Sequence, residues 1–258
     1  MELARARSPF LLNKNFPFRI RILEKHPQNG TIVNNKPYSD GKSRFWEPLK
    51  SAIGISLGDL FSIGELNFIV EGIADQILIT GISHILGKIG ATYLDLENIT
   101  IVPAMGALCA SYLGHFCISE ELSAIVLLDN DAEGKRVKKK ITEESPELKV
   151  LLVNQFKKGV TNIEDLLPRD QYINSVNLFY NKLKLSKYVE YKDEEDGKKK
   201  SQFNIIKNLN DHFKEMKISF SKTSVAKEFI THLNIVNENI EEYDPFINMF
   251  REINSMIK

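Results

Sequence analysis

Two aspartates, Asp129 and Asp131, close the run Ser123-Ala124-Ile125-Val126-Leu127-Leu128, and Gly134, Lys135 and Arg136 follow them. Five consecutive apolar residues with β-branched members read as a buried strand, so both carboxylates fall where it must stop and a charged helix opens. Carboxylates two apart at the mouth of a parallel strand can both reach one divalent cation, because the strand end and its turn aim them into the same crevice. Glu71 closes a second such run, Leu66-Asn67-Phe68-Ile69-Val70, and Asp75 lies one helical turn beyond it. Four acids, Glu71, Asp75, Asp129 and Asp131, are therefore expected to converge. Unneutralised, they would repel one another and resist burial, and one or two Mg2+ or Mn2+ ions offset that cost. Oxygen-only donors suit these ions better than zinc, since neither His84 nor His115 falls at a strand end. Any one of these acids, taken alone, reads equally well as a helix-start residue complementing the dipole.

The elements that must position them alternate. Strand 66–70 is followed by a helix with Ile73, Ile77, Ile82, Ile85 and Ile89 broadly on one face. A second strand, Ile99-Thr100-Ile101-Val102, ends at Pro103, and 107–116 reads as a helix despite Gly114. The aspartate strand and a helix over 133–144 come next, then a fourth strand, Leu148 to Val153. This order, with short connections, predicts an α/β fold: a Rossmann-like parallel sheet with helices on both faces, binding its ligand at the strands' carboxyl ends.

On either side the pattern changes. Residues 1–65 are irregular, with a hairpin expected from Phe18-Arg19-Ile20-Arg21-Ile22-Leu23-Glu24 and Thr31-Ile32-Val33, and a short helix from Trp46. Residues 171–258 read as mainly helical, over 172–187, 203–216, 224–233 and 245–257. Between them come a short strand at Tyr188-Val189-Glu190-Tyr191 and an exposed charged turn over 193–200. Thr223 or Ser224 is the expected cap of the penultimate helix. The boundaries drawn are 1–65, 66–170 and 171–258.

Hydrophobic content of 43% and charged content of 26% are those of a globular chain. No apolar run approaches the roughly 20 residues that span a bilayer, and no signal core follows the N-terminus. Cytoplasmic location is expected, with Cys109 and Cys117 as buried thiols. Zero net charge argues against generic polyanion binding, although basic clusters at 135–140 and 198–200 supply local fields. Each cluster also reads as a solvated face.

Three stretches together resemble a known family. Phe68-Ile69-Val70-Glu71-Gly72-Ile73-Ala74-Asp75, then Ile101-Val102-Pro103-Ala104-Met105-Gly106-Ala107, then Leu127-Leu128-Asp129-Asn130-Asp131-Ala132-Glu133-Gly134 are similar to a TOPRIM domain. The nearest resemblance is to the overcoming-lysogenisation-defect (OLD) family of ATPase-coupled endonucleases, across about residues 10 to 235. The resemblance implies a metal site that cuts DNA, with a role in bacterial defence. Phe220-Ser221-Lys222-Thr223-Ser224 is similar to the family's segment bearing a catalytic lysine, here Lys222. Thr161-Asn162-Ile163-Glu164-Asp165 is similar to its acidic segment, so that Glu164 or Asp165 would add a metal contact. Lys135 and Arg136 would hold flanking DNA backbone.

The N-terminus departs from that pattern. Ser8-Pro9-Phe10 looks like the end of the family's ATPase domain, but Ala6 and Arg7 stand where Thr-His is usual, and no phosphate loop occurs. The chain is expected to be the nuclease half, without ATPase activity, working with a separate ATPase subunit or as a homo-oligomer.

Rival readings fit less well. A haloacid-dehalogenase-like phosphatase would use the Asp-x-Asp but leave Glu71 without a role. A strand-transfer topoisomerase would need a tyrosine in a separate gate domain. A catalytically silent DNA-binding or assembly subunit is the alternative from another class.

Overall fold

Four short, largely apolar runs, the inner two almost wholly buried beyond their first residues, pair side by side. They are β3 (Leu66–Val70), β4 (Ile99–Pro103), β5 (Ser123–Leu128) and β6 (Lys149–Leu152), following an antiparallel hairpin of β1 (Ile22–His26) and β2 (Gly30–Asn34). The computed structural model describes residues 22–26, 30–34, 64–192, 194–195, 198–199 and 204–256. All pairings of the four-stranded sheet are parallel, in the order β4-β3-β5-β6. The chain thus leaves β3 for one neighbour and returns to the other, a reversal that opens a crevice at the strands' carboxyl ends.

Helices α1 (Ile73–Lys88), α2 (Ala107–Ser119) and α3 (Ala132–Glu144) make the crossovers. Burial separates two apolar cores, one on each face of the sheet. Ile69, Val126 and Leu128 point to the face covered by α2 and α3, and Phe68, Val70, Ile125 and Leu127 to the face covered by α1. That alternation is the period-two geometry of strands buried on both sides. The α/β sheet expected from the sequence is therefore observed.

The isoleucine stripe expected on α1 is only in part its buried face: Ile82 lies at the centre of that face and the others at its margin. Ala74, Leu78, Ile79, Ile82 and Leu86 are buried, whereas Ile73 is 41% exposed and Ile77, Ile85 and Ile89 are only partly covered. The helix is wedged between the sheet and further helices, so two stripes are buried and isoleucine spacing alone picks out only part of them.

Those further helices are α4 (Arg169–Lys182), α5 (Ile205–Glu215), α6 (Lys222–His232) and α7 (Asp244–Met256). They share the α1 core through Tyr172, Leu209, Phe213, Phe229, Phe246 and Phe250, so apolar packing runs unbroken across residue 170. Helix α6 packs on both α1 and α4. Residues 188–191 form no strand, because the backbone there is committed to side chains. Asn177 Oδ1 accepts from the Tyr191 N–H at 2.9 Å, and the Val189 N–H donates to Met216. The charged turn contains a small antiparallel pair, β7 (Glu194–Glu195) with β8 (Lys198–Lys199). The helix expected from Trp46 lies outside the described residues. Cys109 and Cys117 are buried free thiols, and burial pushes Cys117 up to about 12. Among the described residues, no helix is long and apolar enough to cross a membrane.

Candidate metal centre

Strand pairing brings the first two acids together. Glu71 follows β3 and Asp129 follows β5, which are hydrogen-bonded neighbours, and the Asp129 N–H donates to Glu71 Oε1 at 2.7 Å. Gly134 keeps the Asp129 turn tight. A Cβ at that position would lie 2.0 Å from the Asp129 carbonyl oxygen, so no side chain fits there. Asp75 is buried in the first turn of α1, where its Oδ2 accepts from the Gly72 N–H at 2.9 Å.

Two residues from distant sequence complete the group. Glu164 sits in the 3-10 turn Ile163–Leu166 and is buried. Lys222, the first residue of α6, places Nζ 3.1 Å from Glu164 Oε1. A cation at a helix start opposes the dipole, and the carboxylates around it offset that cost. Ser221 caps α6, its Oγ accepting from the Ser224 N–H at 3.3 Å, so the cap is two or three residues earlier than the sequence pattern indicated. Tyr180 of α4 fixes the approach, its hydroxyl accepting from the Ser221 N–H at 2.8 Å and donating to the Ser219 carbonyl at 2.9 Å.

The electrostatics are those of too many acids for one ammonium. Burial raises Asp129 to about 8, and the charges of Asp75, Glu164 and Glu71 add to the rise while Lys222 opposes it. Burial likewise raises Asp75 to about 7, with Glu164 contributing and Lys222 opposing. Glu71 moves up for the same first reason, desolvation, against the hydrogen bond from Asp129. Desolvation alone would depress Lys222, yet Glu164, Asp129 and Asp75 together raise it. Glu164 Oε2 is buried without a hydrogen-bond donor, and Oε1 has the ammonium beside it without a directed bond.

Hard, oxygen-only donors with residual negative charge and an orphaned buried carboxylate oxygen fit a divalent cation of the Mg2+ type. Among the described residues, no three His, Cys, Asp or Glu side chains stand close enough together to enclose an ion as they are.

Asp131 and Asp165 stand apart from this group. Asp131 is exposed and caps α3, its Oδ1 accepting from the Gly134 N–H at 2.7 Å. Its charge reaches the site mainly through Glu71. Asp165 is committed to the fold: Oδ2 accepts from the Thr161 and Asn162 N–H groups, both at 3.0 Å, and Oδ1 from those of Asn204 at 3.0 Å and Ile205 at 2.8 Å. Four backbone donors fill the carboxylate, so of the adjacent acids only Glu164 is left to face the crevice.

Lys135 and Arg136 are exposed on α3, with Arg136 3.9 Å from Glu133. His115 is occupied elsewhere, with Nδ1 2.9 Å from Ser145 Oγ, and desolvation lowers it. Two residues escaped the sequence reading. Asn162 donates from Nδ2 to Asp129 Oδ2 at 2.7 Å, and Tyr172 brings a fully buried hydroxyl whose ionisation is suppressed by burial and then by Glu164. Asn162 stands two residues before Glu164 in the acidic segment, which was the available signal for it. Tyr172 carried none.

No protein-family profile and no curated protein matches the chain. Some solved structures bear a likeness to the chain. The C-terminal region of the Xanthomonas campestris pv. campestris OLD protein, phased with mercury, is 12% identical and has a TM-score of 0.44, with 76% of this chain and 99% of that one covered. The chain is similar to C-terminal regions of OLD proteins. The Burkholderia pseudomallei OLD region is 14% identical, with 74% and 99% covered and a TM-score of 0.42. The platinum-phased Xanthomonas OLD region is 12% identical, with 78% and 100% covered and a TM-score of 0.40.

Proposed function

We propose that this chain is a divalent-metal-dependent DNA endonuclease that hydrolyses phosphodiester bonds at the crevice over β3 and β5. The observation that carries this reading is a half-buried lysine paired with a fully buried glutamate among carboxylates. Lys222 and Glu164 meet at 3.1 Å beside Asp75 and Asp129, both raised far above the usual carboxylate range by burial and mutual charge.

Glu71, Asp75, Asp129 and Glu164 would hold one or two Mg2+ or Mn2+ ions, with Asp131 contributing the oxygen that its helix cap leaves over. When bound, such an ion would make water more acidic and offset charge on the leaving oxygen. The chain's own part is positioning and electrostatics. Asn162 fixes the Asp129 carboxylate through Oδ2, and the Asp129 N–H fixes Glu71. Lys222, held among carboxylates in a crevice partly shielded from water, would neutralise charge on a phosphoryl oxygen, an interaction that gains strength as that charge develops. Glu164 keeps the ammonium oriented until the phosphate replaces it as partner. Lys135 and Arg136 would steady the DNA backbone beyond the crevice.

Supercoiled plasmid tests the reading. The protein is expected to convert it to nicked or linear form with Mg2+ or Mn2+, to stop on addition of EDTA, and to lose the activity in Asp129→Ala. A folded wild type that binds DNA but leaves the plasmid intact with either metal would assign the chain to a silent DNA-binding or assembly role instead.

A further inference from the structure

The carboxyl edge of the sheet has two unlike banks. Beyond the ends of β4 and β3, Met105 is 54% exposed, Leu108 42% and Ile73 41%. On the β5 side, α3 carries the exposed Lys135 and Arg136 just past Glu133, which lies 3.9 Å from Arg136, and the exposed Lys139 and Lys140 follow on the same helix. β3, whose end carries Glu71, runs between β4 and β5, so the acidic crevice lies between an apolar bank and a cationic one. Single exposed apolar residues are ordinary on any surface. Here three of the nine large ones exposed among the described residues gather at the ends of two adjoining strands.

Met105 is set outward by the backbone. It adopts φ 65°, a left-handed conformation that costs free energy for any residue with a Cβ, and its neighbours Ala104 and Ala107 are buried while it is not. The loop is tied to the metal-directed strand on both sides of it. The Ala104 N–H donates to the Val70 carbonyl at 2.8 Å and the Gly106 N–H to the Glu71 carbonyl at 2.7 Å. The Met105 backbone is therefore held beside Glu71, and its flexible thioether side chain is more than half exposed.

We propose that Met105, flanked by Ile73 and Leu108, is an apolar wedge that takes nucleobase faces next to the scissile phosphate, while Lys135 and Arg136 take phosphates on the opposite bank. This rests on the endonuclease reading above and names how that site engages its substrate. A DNA strand is amphiphilic in the same sense as the groove, with anionic phosphates on one side and apolar base faces on the other. An apolar protein surface would match the first bank and leave the cationic one unmatched. Met, Leu and Ile are among the side chains that enter base steps and unstack them.

The test is duplex DNA carrying a single 2-aminopurine, bound in Ca2+, together with cleavage in Mg2+. Wild type is expected to raise 2-aminopurine fluorescence on binding. Met105→Gly is expected to lose that rise and to bind at least fivefold more weakly, with a Tm equal to or above wild type, since glycine adopts φ 65° without strain. Lys135→Ala is expected to weaken binding and its salt dependence while keeping the fluorescence rise. If Met105→Gly binds and unstacks like wild type while wild type cleaves DNA, the wedge is overturned and the endonuclease stands. If wild type neither binds nor cleaves DNA, both fall. If sedimentation shows a wild-type dimer that Met105→Gly dissociates, the lip is a self-association surface and the wedge is overturned.

Discussion

Lys222 Nζ lies 3.1 Å from Glu164 Oε1, the lysine side chain one-third exposed and the glutamate almost wholly enclosed. The pair joins two segments that no local pattern links, a 3-10 turn after β6 and the start of α6. Its net worth is set less by attraction than by what each partner leaves behind when the other is removed. Lys222→Met strands Glu164 with Asp75 and Asp129 in a crevice without a cation, and is expected to destabilise the metal-free protein by about 2–4 kcal/mol. Urea denaturation checks this, and Lys222→Met with Glu164→Gln should recover at least half of the loss.

Metal-free stability should rise as pH falls from 8 to 5. Asp75 and Asp129 sit at about 7 and about 8 in the folded chain, above their unfolded value near 3.8. Over the window between those values the folded state holds protons that the unfolded state has released, so stability drops as pH rises through it. Asp129→Asn should flatten the slope of Tm against pH. Metal binding, which requires the deprotonated acids, should strengthen over the same rise in pH, so added Mg2+ is expected to lift Tm more at pH 8 than at pH 6.

Helix α6 reaches the site because Gly81 of α1 lets it close in. A Cβ on Gly81 would fall 2.6 to 2.9 Å from three side-chain atoms of Ile230, so that either this side chain or the helix must shift. Gly81→Ala is expected to cost about 1–3 kcal/mol by overpacking and to lower cleavage further than stability, because Lys222 moves with α6. Ile230→Val in the same chain should return part of both, measured by denaturation and plasmid cleavage in parallel.

Asp131 separates a cap from a ligand. Asp131→Ser retains a side-chain oxygen able to accept from Gly134, so Tm should change little, within about 0.5 kcal/mol. Asp131→Ala removes the cap and is expected to cost about 1 kcal/mol. If Asp131 also serves a metal, both variants lose cleavage alike, and the serine variant does so while fully folded.

The sheet was legible because its strands are continuous apolar runs ended by acids, glycine or proline, and the parallel order follows from strand-helix alternation. Glu71, Asp75 and Asp129 could be placed for the same reason, since a strand end is a local signal. Asp131 carries two readings, because a carboxylate three residues before Gly134 serves a helix start as readily as a metal. Lys222 and Glu164 came only from family resemblance. Their meeting depends on α6 packing against α1 and α4, and tertiary packing of that kind leaves no spacing in the chain to read. Asp165 shows the same limit. Its four backbone donors include Asn204 and Ile205, some forty residues away.

The most direct measurement is the initial rate of supercoiled plasmid cleavage in saturating Mn2+ by wild type, Asp129→Ala and Lys222→Met, each verified folded by its thermal transition. Wild type is expected to cleave, Asp129→Ala to fall to background, and Lys222→Met to fall at least a hundredfold while still binding Mn2+. A wild type that binds Mn2+ and DNA yet cleaves no faster than Asp129→Ala would contradict the account.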